Sequence, residues 1–193
     1  MPNPHRLHSA VPLFLALLVL SACDNAEPAG LAPDDPLLAA SAAAAAMQSA
    51  ALSADIQQQV AALRRLTAPF HDIETAEAAG WDFALTPCLS SSEGGMGVHM
   101  ANLDLLDGTA ELLGPETLLY EPQKNGRMRL VAIEYLVPFS ILPSDADPPE
   151  LLGQHFHQNL EAGVWALHVW LWRHNPAGLF ADFNQNVTCD WAD

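Results

Sequence analysis

Apolar positions recur along this chain with two different periods. Over residues 52–66 they fall at Leu52, Ile56, Val60, Leu63 and Leu66, steps of four and three that put one stripe on a helix. Ser53 fits its N-cap, and Arg64 and Arg65 suit the negative end of the helix dipole. A second, shorter helix is predicted from Pro69 to Ala79. Thr67 can cap it, Phe70, Ile73 and Ala76 or Glu77 recur on one face, and Gly80 supplies the left-handed position after it.

Beyond Trp81 the pattern becomes extended. Leu118–Glu121 and Arg129–Val137 read as strands joined by a loop containing the turn signal Asn125-Gly126. Val164–Trp172 is a third apolar run whose aromatic and β-branched content favours a strand. Met96–Ala101 and Phe180–Asn184 are candidates for shorter strands. Ile141–Gly153, with three prolines among acids, reads as an exposed irregular loop. The class expected is α+β: a single domain over residues 53–193, an antiparallel sheet with the N-terminal helices on one face.

The first 52 residues carry a different message. Val11–Leu20 is an apolar run behind a weakly basic start and is too short to span a bilayer. It ends in Leu20-Ser21-Ala22-Cys23, which resembles a bacterial lipobox. Residues 1–22 are then a lipoprotein signal peptide, Cys23 is the lipidated first mature residue, and residues 23–52 are an Ala/Pro-rich tether. An ordinary secretory signal cut near Ala22 is the alternative. Either places the protein in the bacterial cell envelope, facing the periplasm or the exterior.

Export changes the cysteine arithmetic. Three cysteines would leave one unpaired, but with Cys23 lipidated, Cys88 and Cys189 remain as a pair in an oxidising compartment. Two separate buried thiols are the other possibility. A bridge closing a loop of about 100 residues stabilises by roughly 4–5 kcal/mol in the chain-entropy model. The formal charge of −16 argues against nucleic acid and anionic headgroups as partners, so membrane contact is expected through the anchor only. Nothing in the sequence identifies a protein partner or an oligomeric state.

Chemistry concentrates in the extended half. His168 is the one polar residue of Trp165–Trp172, and Glu134 is the one acid of Leu130–Val137. Alternation puts Glu134 on a face with Leu130, Ala132 and Leu136, and His168 on a face with Val164, Ala166, Trp170 and Trp172. Groups so placed cannot easily reach water, and a buried carboxylate must be paired, protonated or bound to a cation. His99 follows Gly94, Gly95 and Gly97, where the backbone can approach a neighbour closely.

Two readings of these residues stand. In one, His99, Glu134 and His168 converge as a pocket for a small ligand or, as two histidines and one carboxylate, for zinc, iron, manganese or copper. His155 and His157, alternate residues on an extended segment, would then offer a further ligand. In the other, Glu134 and His168 are a buried structural pair in a binding or scaffold module. No nucleophile elbow, P-loop, dinucleotide fingerprint or His-Glu-x-x-His helix is present, so no catalytic residue is assigned.

Several segments together resemble an uncharacterised family of exported bacterial proteins. They are Phe70-His71-Asp72 through Ala79-Gly80-Trp81, Gly94–His99, Leu119–Pro122, Val131–Tyr135, Leu167–Trp172, Asn175–Phe180 and Val187–Cys189. The resemblance implies export and no particular activity. Its motifs include Cys88, His99, Glu134, His168 and Cys189, whereas His155 and His157 lie outside them.

Overall fold

The computed structural model describes residues 53–192. The expected signal peptide and tether, and Cys23 with them, lie outside the described residues. Among the described residues no helix is long and apolar enough to cross a membrane.

Helix α1 occupies residues 53–67, and Val60 and Leu63 of its apolar stripe are buried. The helix expected over Pro69–Ala79 is instead two pieces, a 3-10 turn at Ala68–His71 and α2 at Ile73–Ala78. Asp72 divides them because its backbone is extended and its side chain accepts the Glu74 N–H at 3.2 Å. Thr67, expected as a cap, donates its hydroxyl back to the Leu63 carbonyl at 2.8 Å. Gly80 closes α2 at φ +106°, with the Trp81 N–H donating to the Ala76 carbonyl.

The remainder is dominated by a six-stranded antiparallel sheet, as the α+β class requires. In chain order its strands are β1 (Phe83–Ser91), β2 (Gly94–Ala101), β3 (Thr117–Pro122), β4 (Met128–Pro138), β7 (His157–Asn159) and β8 (Val164–Val169). They lie side by side as β1-β2-β3-β4-β8-β7. The last apolar run thus ends as a strand at Val169, three residues short of Trp172. The proline-rich stretch is irregular until its end, where β5 (Glu150–Leu151) pairs with β6 (Gln154–His155) in a separate two-stranded sheet. Phe180–Asn184 forms no strand, and its one ladder pairing with the sheet is an isolated bridge between Asn184 and Gly95.

The sheet separates two apolar clusters. The larger joins Val60, Leu63 and Phe70 with Leu118, Ile133, Tyr135, Trp165, Leu167 and Val169. The smaller joins Met96, Leu119, Val131, Ala132, Trp170 and Val187. Strict alternation would put Leu130 with Ala132 and Glu134, but Leu130 belongs to the larger cluster and Val131 to the smaller. A register shift explains the exchange: Leu119 pairs with Ala132 and Tyr120 with Leu130, leaving Val131 as the extra residue of a bulge.

The segment after β8 covers the smaller cluster, and two features hold it there. Cys88 of β1 is disulfide-bonded to Cys189, with Cα atoms 5.6 Å apart. Gly95 exchanges backbone hydrogen bonds with Asn184, and a Cβ at Gly95 would lie 2.8 Å from the Val187 carbonyl oxygen. The close backbone approach expected of the glycine run is toward this segment at Gly94 and Gly95, and toward the Tyr120 carbonyl of β3 at Gly97.

Candidate metal centre

Glu134 sits near the middle of β4, directly opposite His168 on β8 and Thr117 on β3. Directly opposed residues in an antiparallel pair share a face, so the two buried ionisable groups of the apolar runs meet. His99 on β2 opposes Leu119, which opposes Ala132. Its imidazole reaches diagonally across β3 to the same carboxylate.

The contacts make a chain across the sheet. Thr86 Oγ1 on β1 lies 2.8 Å from His99 Nδ1. His99 Nε2 is 3.4 Å from Glu134 Oε2, and Glu134 Oε1 is 3.2 Å from His168 Nε2. On the far side of that ring, His168 Nδ1 is 3.2 Å from Asp182 Oδ1, and the same oxygen contacts His157 Nε2 at 2.5 Å. His99, Glu134 and His168 are buried, whereas the Asp182 and His157 side chains are each a little over 40% exposed. The chain therefore runs from the interior to the surface.

Two features mark the interior end as more than a satisfied pair. Both ring nitrogens of His168 are buried without a hydrogen-bond partner, because the flanking carboxylates lie off the line that an N–H bond needs. The Thr117 hydroxyl, opposite Glu134, is a further buried polar atom without a partner. At His99 the pairing with Thr86 fits either tautomer, and the one that donates Nδ1–H to the hydroxyl turns the Nε2 lone pair toward a carboxylate. Two acceptors facing each other at 3.4 Å need a cation or a proton between them.

The electrostatics of the two imidazoles differ. Burial pulls the His99 pKa down and the nearby His168 charge adds to this, more than Glu134 and the Gly97 carbonyl offset. Burial acts on His168 in the same direction, but the charges of Glu134 and Asp182 outweigh it and the pKa rises. Asp182 moves the other way: burial would raise it, yet the two imidazoles hold it below the usual carboxylate range. One imidazole is thus kept neutral and the other is held between two negative charges.

A cavity of about 260 Å³ opens onto this chain. Thr86, His99, Glu134 and Asn159 are its polar groups, and Leu85, Leu89, Met96, Leu136, Ala162 and Val164 its apolar walls. Residues from both edges of the sheet, β1 and the β7–β8 hairpin, reach it, so the sheet curls around the space. His99, Glu134 and His168 present ligand atoms within 4.8 Å of one another, as do His157, His168 and Asp182. Such groups can hold a metal ion.

The structure treats the two remaining expected histidines differently. His157 lies on β7 opposite Ala166, on the face that carries His168. His155 lies on β6 of the other sheet, exposed, with Nδ1 4.0 Å from Glu150. The extended segment is broken between them by the buried Phe156, so the two do not reach one ion. Thr86 and Asp182 were not among the expected residues, and neither stands out in sequence. No known protein family, curated protein or solved structure matches this chain.

Proposed function

We propose that this is a lipid-anchored envelope protein that binds a divalent transition metal through His99, Glu134 and His168. The ligand set of two imidazoles and one carboxylate suits zinc, iron, manganese or copper. The observation that carries the reading is His168, a buried imidazole with neither nitrogen hydrogen-bonded and each facing a carboxylate oxygen at 3.2 Å. Thr86 and Asp182 complete it from outside. Thr86 would accept the Nδ1–H of a ligating His99, fixing the tautomer that frees Nε2, and Asp182 sets a negative charge beside His168. The cavity beside His99 and Glu134 leaves room for water or a small ligand at the ion. Anchoring rests on Leu20-Ser21-Ala22-Cys23 and export on that signal and the family resemblance. Packing of the N-terminal helices on the face opposite the histidines, supported by Val60, Leu63 and Phe70 in the larger cluster, leaves this face for the ligand.

Metal analysis of the purified full-length chain, loaded in turn with zinc, iron, manganese and copper, tests this. At least one ion per chain is expected, and His99→Ala, Glu134→Gln and His168→Ala should each bind at least one ion fewer while circular dichroism stays native. A second reading is favoured by the direct opposition of Glu134 and His168 in the sheet, which also suits a buried structural pair. No metal bound by the wild-type chain, with the variants only less stable, would establish that reading instead.

A further inference from the structure

The metal reading uses one side of His168 and leaves the other unexplained. Nδ1 faces Asp182 Oδ1 at 3.2 Å without hydrogen-bond geometry, and His157 Nε2 meets the same oxygen. Those three groups are an imidazole, a carboxylate and a second imidazole, the same donor types as the interior site. They come from β8, from the disulfide-held segment after it and from β7, so three successive segments are brought to one point. The sheet enforces this on the β7 side, since His157 opposes Ala166 on the face of His168.

We infer that His157, Asp182 and His168 form a second cation site, joined to the interior one by the shared imidazole of His168. The inference rests on the metal reading of that interior site. The two positions differ in access. The interior one is walled by the sheet, whereas His157 and Asp182 are partly exposed, so the second ion exchanges with solvent directly. When both ring nitrogens coordinate, the imidazole loses its remaining N–H proton to solvent and bridges the ions as imidazolate. The charge balance favours this, because Glu134, Asp182 and the bridge supply three negative charges to two divalent ions in a chain of formal charge −16. The ions that fit are those that take imidazole nitrogen readily, zinc and copper, in preference to calcium or magnesium.

Zinc titration of the full-length chain, followed by metal analysis, provides the test. Wild type is expected to bind two Zn²⁺, and His157→Ala and Asp182→Asn one each, with the interior ion retained. His99→Ala should lose the interior ion and keep the outer one. In the dicopper form the paramagnetic resonance signal is expected to fall well below that of two isolated Cu²⁺ ions, because the bridge couples them. One Zn²⁺ in wild type, unchanged in His157→Ala and lost in His99→Ala, overturns the second site and leaves the first intact. Two ions with an undiminished copper signal overturn the bridge. No zinc or copper bound in any form overturns this inference, and manganese or iron binding lost in His99→Ala would still uphold the interior site.

Discussion

Glu116 and Glu134 are both buried beside β3 and β4, and their surroundings differ in kind. Glu116, just before β3, is fully buried. Its Oε2 accepts the Leu136 N–H at 3.1 Å and its Oε1 has no partner. Burial pushes its pKa up to about 8, more than the backbone hydrogen bonds lower it, so it is held as a neutral acid. Glu134 instead stands between two imidazoles, at the edge of a cavity, on the face covered by the disulfide-held segment. A buried carboxyl can be made tolerable by keeping its proton or by meeting a positive partner. Glu116 takes the first course and Glu134 the second, and of the two only the second arrangement leaves donors able to hold an ion.

The cover over the Glu134 face is where the contrast can be broken most strongly. Replacing Cys88 and Cys189 together by Ala removes a bridge across a sequence separation of 101 residues. The expected cost is about 4–5 kcal/mol in the chain-entropy model, read by denaturant unfolding. Asp182 lies on the freed segment, so zinc affinity should fall with stability, while the cluster around Ile133 and Leu167 keeps its packing. Unchanged affinity in the folded double variant would mean that the segment does not position Asp182.

The Glu116 side is broken by pH. Its folded pKa lies above the ordinary 4.5, so the unfolded chain releases this proton first as pH rises. From about pH 4.5 to about 8 the unfolded state therefore binds fewer protons, and the stability contributed by this group falls with rising pH. Glu116→Gln removes the dependence. Wild type and variant should be equally stable near pH 4 and separate above it, the variant gaining on the order of 3 kcal/mol by pH 7. Parallel stability curves from pH 4 to 8 would show that Glu116 is already ionised in the fold.

What the sequence disclosed follows from the same contrast. Glu134 and His168 were legible because each is the single ionisable group of an apolar run, and strand alternation then assigns each a face. That alternation failed at Leu130 and Val131, because a bulge is a property of the paired strands and leaves no mark on one strand's pattern. The cysteine pair was legible once the lipobox resemblance set Cys23 aside, which leaves two of the three cysteines. Thr86 was hidden in Phe83–Ser91, whose polar, proline and cysteine residues mask a strand with irregular register. Asp182 was hidden among 23 acids, in a segment whose place is set by a disulfide and a bridge rather than by periodicity. His155 and His157 looked equivalent by spacing, and a change of sheet between them made them different.

Thr86 allows the smallest and most selective test of the Glu134 side. Its hydroxyl meets His99 Nδ1 at 2.8 Å, at the end of the contact chain opposite His157. Thr86→Val keeps the shape and β-branching of the side chain and removes only that oxygen. Losing one part-buried hydrogen bond costs about 1 kcal/mol of stability. The effect on metal should be larger in proportion, because a ligating imidazole held by an outer partner typically loses 10- to 100-fold in affinity when that partner goes. Competition with a chelator of known zinc affinity measures it. Ser at the same position restores the hydroxyl and should restore binding, whereas equal affinities for Thr86→Val, Thr86→Ser and wild type would place His99 outside the ligand set.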